Sequence, residues 1–138
     1  MEKLFALIIH ADINEIPRVS LALENAMKAH AFTEEDILDV QLAVEEAITN
    51  VIVHGYKENT GEIWLTFRAT LGLVEVQIED TAPPFNPLSI PEPDLTGDLE
   101  NRRIGGLGFF LIRQVMDGIV YRYEDGKNIL VLVKRKTA

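Results

Sequence analysis

The sequence contains no cysteine, so disulfide bonds and thiolate metal sites are excluded. Its 138 residues also lack any run of about 18 apolar side chains, the length that a membrane-spanning helix requires. The N-terminal residues do not have the layout of a secretory signal peptide. From these absences we expect a protein that works in the reducing cytoplasm and has no membrane partner.

Basic residues are scarce relative to acidic ones. The chain has 13 Lys and Arg against 22 Asp and Glu, which gives a formal net charge of −9 at pH 7. Because such a surface repels the phosphates of DNA and RNA, we expect no direct nucleic-acid partner. A smaller anionic ligand such as a nucleotide would need local attraction from a cation, from helix amides or from a few arginines.

Apolar residues make up 47% of the chain, enough for one domain with a hydrophobic core over residues 1–138. Five of the six prolines fall in an aperiodic stretch, 81–104, and a loop of this length is normally functional. Residue spacing predicts the following elements: strand 4–11, a helix capped by Asn14, helix 33–54 with Gly55 in the left-handed stop position, strands 62–69 and 73–80, helix 109–116, and strands 119–124 and 128–134.

This order of elements gathers helices between runs of strands instead of placing one after each strand. It predicts an α+β fold of two layers, an α/β sandwich. We expect a mixed, mostly antiparallel sheet that is covered on one face by the helices.

A line of polar side chains marks the second predicted helix. Glu46, Asn50 and His54 follow one another at intervals of four residues, so they rise along one helix face. Side-chain oxygens of this kind can hold a hard cation, and a carboxylate beside the cation can accept a proton. The alternative is that all three side chains simply face solvent, as polar residues of an amphipathic helix usually do.

The third predicted strand ends in Asp80, which is followed by Thr81, Ala82 and two prolines. On a functional interpretation, the Asp80 carboxylate accepts a hydrogen bond at the mouth of a pocket. The exocyclic amine of adenine is a suitable donor, and the small side chain of Ala82 would let the ring approach. The alternative is that Asp80 and the prolines only terminate the strand.

Three of the nine glycines lie in the short segment Gly105-Gly106-Leu107-Gly108, directly before an apolar helix. Bare backbone amides and the helix dipole favour an anion there. Arg102 and Arg103 just before it would add charge-assisted contacts to phosphate. The alternative is a flexible joint that ends the long loop. The segment lacks the Lys-Ser/Thr end of a P-loop and follows no strand, so neither the P-loop nor the Rossmann fingerprint fits.

The three patterns, in this order, resemble the Bergerat ATP-binding fold of the GHKL superfamily, found in gyrase, the heat-shock chaperone, histidine kinases and mismatch-repair proteins. A closer likeness is carried by residues 45–56 (EEAITNVIVHGY), 84–87 (PFNP) and 105–112 (GGLGFFLI). These stretches are similar to those of the anti-sigma-factor serine kinases of bacterial sporulation and general stress response. The likeness covers residues 4–136.

The resemblance implies a role for each matching residue. Asn50 would supply an oxygen to Mg²⁺, Glu46 would accept the proton of an incoming serine hydroxyl or water, and Asp80 would bind the adenine amine. The segment from Leu88 to Ile104 would form a lid over the nucleotide. The ATP-binding residues implied in this way are Asn50, Asp80, Ala82, Arg102, Arg103, Gly105, Gly106, Leu107 and Gly108.

Two positions depart from the family pattern. Ala82 stands where the first glycine box of the family commonly has glycine, and its methyl group either fits the adenine pocket or tightens it. Related domains often place a threonine in a late strand to help hold the base, whereas residues 129–133 are wholly apolar.

The resemblance also implies a function. The chain would be a protein serine/threonine kinase with ATP and Mg²⁺ as cofactors, acting as an anti-sigma regulatory factor. It would phosphorylate a STAS-type anti-anti-sigma protein on serine, sequester a sigma factor and form a homodimer. The alternative is a nucleotide-binding module that sequesters its partner without kinase activity. The presence of Glu46 favours the enzyme, because sequestration needs no positioned base.

Overall fold

The computed structural model describes residues 2–57, 59–89 and 106–137. In these residues, five strands form one sheet and three α-helices accompany it. The strands are β1 (Glu2–His10), β2 (Glu62–Ala69), β3 (Leu73–Asp80), β4 (Gly118–Glu124) and β5 (Lys127–Arg135). The helices are α1 (Ile16–Ala29), α2 (Glu34–Asn50) and α3 (Gly106–Val115).

The strand order is β1-β2-β3-β5-β4, and each pair of neighbours in the described sheet is antiparallel. The α+β fold is confirmed, but the sheet is uniformly antiparallel where we expected a mixed one. The reason lies in the last hairpin. Its turn has positive φ at both Asp125 (53°) and Gly126 (77°), as a tight two-residue hairpin turn requires. Strand β5 returns through this turn and inserts beside β3, so it runs opposite to both neighbours.

One face of the sheet is buried under the helices. In β2 and β3, every second residue is buried, which is the alternation expected of a strand with one face in the core. Helix α2 lies in the middle of the helical layer, in contact with α1, α3 and β3. Its predicted start is confirmed, because the Thr33 side chain accepts the backbone N–H of Asp36 at 3.1 Å.

Two helix ends differ from the sequence predictions. The chain enters α1 through a 3₁₀ turn, Ile13–Glu15, whose cap is Asp12 and not Asn14, since the Asp12 carboxylate accepts the N–H of Asn14 at 2.9 Å. Helix α2 passes directly into a π-helix, Val51–Tyr56, and the left-handed stop is Lys57 (φ 53°) and not Gly55. A π-helix widens the helical turn, and such turns are frequent at functional sites.

The residues after β5 are held on the helical layer by Asp36, a buried carboxylate in the first turn of α2. Its two oxygens accept the backbone N–H of Thr137 at 2.8 Å and the Thr137 hydroxyl at 2.6 Å. Burial raises the pKa of Asp36, but the hydrogen bonds from Thr137 and Thr33 outweigh burial, so the pKa lies below its usual value. The ionised Asp36 carboxylate therefore anchors the chain after β5 to the first turn of α2.

Replacing Asp36 with Ala is expected to lower the free energy of unfolding by roughly 2 kcal/mol, because it removes two hydrogen bonds from Thr137 to a buried carboxylate. The effect should be largest at neutral pH and shrink in acid. Since the folded-state pKa is lowered, the stabilisation is present above the pKa of the unfolded chain and is lost as pH falls through the folded-state pKa. Urea unfolding of both proteins from acid to neutral pH would measure the difference in the free energy of unfolding. An equal difference at all pH values would contradict a stabilising role of the ionised Asp36 carboxylate.

Candidate functional site

A pocket opens between the C-terminal half of α2, the facing ends of β3 and β5, and the start of α3. The empty space between its walls, counted together with the open solvent at its mouth, is about 440 Å³. Its walls are mostly apolar, and four polar side chains reach it: Asn50, Asp80, Tyr121 and Asn128. An apolar cavity with a few convergent polar groups is typical of small-molecule sites. The structure therefore brings two of the predicted site residues, Asn50 and Asp80, around one cavity.

Asp80 is the last residue of β3, and it is only 5% exposed. Its Oδ1 accepts the backbone N–H of Ala82 at 3.0 Å and the side-chain Nδ2 of Asn128 at 2.8 Å. Within the described part of the chain, both hydrogen bonds to this carboxylate go to Oδ1, which leaves Oδ2 to accept from a ligand. Burial raises the pKa of Asp80, while the donors on Asn128 and Ala82 act in the opposite direction.

Asn128 is a site residue that the sequence analysis missed. It is the second residue of β5, lies opposite Asp80 in the antiparallel pairing, and is 5% exposed. Asn128 lies one position before the apolar run 129–133. A polar residue beside a turn is typical of a strand end and does not indicate a site. Only the register of β3 against β5 places Asn128 next to Asp80.

Asn50 ends α2 and carries a polar group that the fold does not satisfy. Its Nδ2 is buried, and no hydrogen-bond partner for it exists among residues 2–57, 59–89 and 106–137. A buried donor without a partner is costly, and such groups commonly await a ligand, an ion or water. The alternative interpretation, in which this residue simply faces solvent, does not fit the geometry. An amide here suits a bound phosphate through its NH₂ group and a hard cation through its oxygen.

Glu46 lies one helical turn before Asn50 and is half-buried. Burial, and then the negative charge of Glu45, raise the pKa of the Glu46 carboxyl. Glu45 itself points toward α1, where it accepts the hydroxyl of Ser20 at 2.8 Å. A carboxyl whose pKa is shifted upward is better matched to accepting a proton near neutral pH than an ordinary surface glutamate.

His54, the third member of the predicted polar line, lies in the π-helix and stacks on Phe85. The two ring centroids are 6.1 Å apart, with an angle of 24° between the planes. Phe85 also lines the pocket. His54 therefore packs against the chain that follows β3.

The π-helix packs closely against the chain that follows β3 and is hydrogen-bonded to it. A Cβ atom placed on Gly55 would lie 3.2 Å from the Cβ of Ala82, so the two backbones approach closely. Next to it, the Tyr56 hydroxyl donates to the carbonyl of Glu62 at 2.6 Å and accepts the N–H of Thr81 at 3.0 Å. The methyl group of Ala82 is therefore buried against Gly55, while its backbone bonds to Asp80 and Asn128 shape the pocket.

The predicted phosphate segment is described only in part. Gly106, Leu107 and Gly108 form the first turn of α3, and the next residue, Phe109, lines the pocket. This places the N-terminus of α3 beside the cavity. Arg102, Arg103 and Gly105 lie outside the described residues, as does the predicted lid apart from Leu88 and Ser89.

The described ranges contain no group of three or more His, Asp or Glu side chains arranged to hold a metal ion. An ion at Asn50 would therefore take its other ligands from phosphate and water, which is a common coordination for Mg²⁺. No helix in the described ranges is both long and apolar enough to span a membrane.

The sequence was compared with known protein families and proteins. Residues 9–134 match the histidine kinase-like ATPase domain family. Serine-protein kinase RsbW of Bacillus mycoides is 28% identical over 127 residues, which cover 89% of this chain and 79% of that protein. Serine-protein kinase RsbW of Listeria monocytogenes is 34% identical over 116 residues, which cover 80% of this chain and 74% of that protein.

The fold was compared with solved structures. A crystal structure of the RsbU and RsbW domains of a Mycobacterium tuberculosis protein aligns with a TM-score of 0.67 at 18% identity. The alignment covers 97% of this chain and 33% of that one, so this chain corresponds to about a third of the crystallised protein. At this level of identity the likeness supports the fold and nothing further.

Because Gly55 and Ala82 are in contact, substitutions at the two positions are expected to have non-additive effects on the free energy of unfolding. Gly55→Ala should be disfavoured in the native background, because the added methyl group is forced against Ala82, and tolerated in an Ala82→Gly background. We expect a coupling energy of about 1 kcal/mol from urea unfolding of the wild type, both single variants and the double variant. Additive effects of the two changes would show that the backbones can move apart freely.

Replacing Asp80 with Asn is expected to stabilise the ligand-free protein at neutral pH by roughly 1 kcal/mol, because a buried charge is removed while Oδ1 remains an acceptor. The pKa of Asp80 is raised by burial, so the stability of the wild type is fully present below the pKa of the unfolded chain and decreases as pH rises through the folded-state pKa. The advantage of the variant should therefore grow from about pH 4 to pH 7. Urea unfolding over this range measures it, and an advantage that shrinks with rising pH would refute it.

Proposed function

The chain belongs to the histidine kinase-like ATPase domain family, and from this premise we propose that it is an ATP-dependent protein-serine kinase. Its substrate is a STAS-type anti-anti-sigma protein, and it also sequesters a sigma factor. The support for kinase activity comes from relatives named Serine-protein kinase RsbW at 28% and 34% identity. The support for the site is the pairing of an unsatisfied Asn50 amide with a free oxygen of Asp80 around one pocket.

The nucleotide would bind with its base at the β3 end of the pocket. There, Oδ2 of Asp80 accepts the exocyclic amine of adenine, and the side chains of Ile78, Phe109 and Leu130 enclose the ring. The phosphates would extend toward Asn50 and the N-terminus of α3. Backbone N–H groups of a helix start favour an anion, and this local attraction offsets the overall negative charge of the protein.

The phosphates would also contact the first turn of α3 and the residues just before it. The backbone of Gly105, Gly106, Leu107 and Gly108 and the side chains of Arg102 and Arg103 are the proposed contacts. Asn50 would supply an oxygen ligand to Mg²⁺, and the bound ion would neutralise charge on the phosphates. Asn50 suits both contacts, because its amide oxygen can bind a hard cation and its NH₂ group, which has no partner in the described fold, can donate to a phosphate oxygen.

Glu46 would act as the base. As the serine oxygen of the partner forms its bond to the γ-phosphorus, the bond from that phosphorus to the bridging oxygen breaks and ADP leaves with the electron pair. The serine proton passes to the Glu46 carboxylate, one helical turn from Asn50. The raised pKa of Glu46 makes it a better acceptor for this proton.

We further propose that the protein acts in the cytoplasm as a homodimer. The support for the dimer is strand β1, which lies at the edge of the sheet. Ile8 in this strand is 57% exposed, and nearby Ile13 is 55% exposed. An edge strand flanked by exposed apolar side chains, as in the described residues, suits pairing with a second chain.

The test uses radiolabelled ATP with the STAS proteins encoded in the same genome. Glu46→Gln should retain Mg-ATP binding but transfer phosphate about 10²- to 10⁴-fold more slowly, because only the base is lost. Asn50→Ala should lose Mg-dependent ATP binding itself, as measured by calorimetry. Glu45→Gln is the matched control, since it removes a neighbouring carboxylate that faces α1, and it should keep most of the activity.

Three results would contradict the proposal. Failure of the wild type to bind Mg-ATP at millimolar concentration would remove the nucleotide site. Normal phosphate transfer by Glu46→Gln would remove the base. Bound ATP with no transfer to any STAS protein would leave a sequestering module without kinase activity.

A further inference from the structure

Three side chains form a hydrogen-bonded chain along one wall of the pocket. The Tyr121 hydroxyl on β4 donates to Oδ1 of Asn128 on β5 at 2.5 Å, and Nδ2 of Asn128 donates to Oδ1 of Asp80 on β3 at 2.8 Å. All three residues line the cavity. Neither Tyr121 nor Asn128 has a role in the phosphate transfer described above.

The amide of Asn128 can take only one orientation. Its Oδ1 receives two donors, the Tyr121 hydroxyl and the backbone N–H of Phe85 at 3.1 Å. Its Nδ2 donates to Asp80 and to the carbonyl of Ala82 at 3.0 Å. A flipped amide would place NH₂ against the Phe85 N–H and an oxygen against the Asp80 carboxylate and the Ala82 carbonyl, so three of the four bonds would be lost.

This orientation determines what the pocket offers to a ligand. Asn128 and the N–H of Ala82 both donate to Oδ1 of Asp80, so Oδ2 remains as the acceptor for a ligand. Burial raises the pKa of Tyr121, so its hydroxyl keeps its proton. Because that proton is donated to Asn128, the hydroxyl presents only lone pairs to the cavity. The polar groups at this end of the pocket are therefore acceptors.

We propose that Tyr121 and Asn128 are positioning residues that orient Asp80, and that together they make the pocket selective for a purine with an amine at position 6 over one with a carbonyl. An amine donates to the free oxygen, whereas a carbonyl would bring a third acceptor against two others. A site built to receive a donor rejects a ligand that lacks it, because its own polar group is left unpaired. This inference rests on the proposed nucleotide site.

Asn128 also holds the chain after β3 through Ala82 and Phe85, so its loss will lower stability. The measurement must therefore separate orientation from folding. ATP and inosine triphosphate serve this purpose, because they share the ribose and triphosphate. Their purines differ at position 6, where the amine becomes a carbonyl, and at the adjacent N1, where an acceptor becomes an N–H donor. The ratio of their dissociation constants reports the orientation of Asp80, while a general loosening of the pocket weakens both nucleotides together.

The experiment is calorimetric titration of the full chain with each nucleotide in the presence of Mg²⁺. The wild type should prefer ATP by at least about tenfold, the value of one charge-assisted hydrogen bond. Asn128→Ala should bring the ratio close to one, and Tyr121→Phe should reduce it about threefold, since the Phe85 N–H still holds Oδ1 of Asn128. Thr137→Val is the control. It removes a hydrogen bond to Asp36 beyond the far end of β5 and should leave the ratio as in the wild type.

The outcomes are distinct. A wild type that prefers ATP, together with variants that keep its ratio, would overturn the orienting role of Tyr121 and Asn128 and leave the proposed function intact. A wild type that binds neither nucleotide would overturn both. If Asn128→Ala does not fold, Tyr121→Phe decides, because it removes one oxygen from a half-buried ring. In that case an unchanged ratio overturns the proposal and a reduced one supports it.

Discussion

The pairing of Asp80 with Asn128 across β3 and β5 is the constraint on which the pocket depends. A carboxylate at 5% exposure is stable only if donors surround it, and the amides of Asn128 and Ala82 supply them. The same Asn128 side chain bonds to the backbone of Ala82 and Phe85, so it also sets the path of the chain after β3. One buried amide thus links the polarity of the pocket to the shape of its rim.

A second constraint joins the pocket to the helical layer. The π-helix after α2 brings Gly55 against Ala82 and the Tyr56 hydroxyl against Thr81, so the end of α2 cannot move independently of the end of β3. Asn50 stands at the last residue of α2, directly before this fastened segment. The phosphate end of the proposed site, at Asn50, and the adenine end, at Asp80, are therefore held at a fixed separation by backbone contacts as well as by the core.

Unfavourable features of the described structure gather at this pocket. Asp80 is a buried carboxyl with a raised pKa, and the pKa of Glu46, one helical turn before Asn50 on α2, is also raised. In the described part of the chain, Nδ2 of Asn50 is the one buried side-chain polar atom without a partner. Elsewhere, a buried carboxylate such as Asp36 is fully bonded and its pKa is lowered. Groups that lower the stability of the fold and make no compensating contacts are expected where a ligand binds.

The amino-acid sequence alone specifies the order of the elements, the start of α2 at Thr33 and the motif that carries Glu46, Asn50 and Asp80. Those features depend on local spacing, capping and residue type, which can be read within a few positions. Tertiary packing was needed to establish the π-helix, the stop at Lys57 and the role of Asn128. Asn128 and Asp80 are 48 residues apart, and nothing local to either residue specifies that β5 will lie beside β3 in this register. The uniformly antiparallel sheet has the same origin, because strand order is set by how the helices and hairpins pack together.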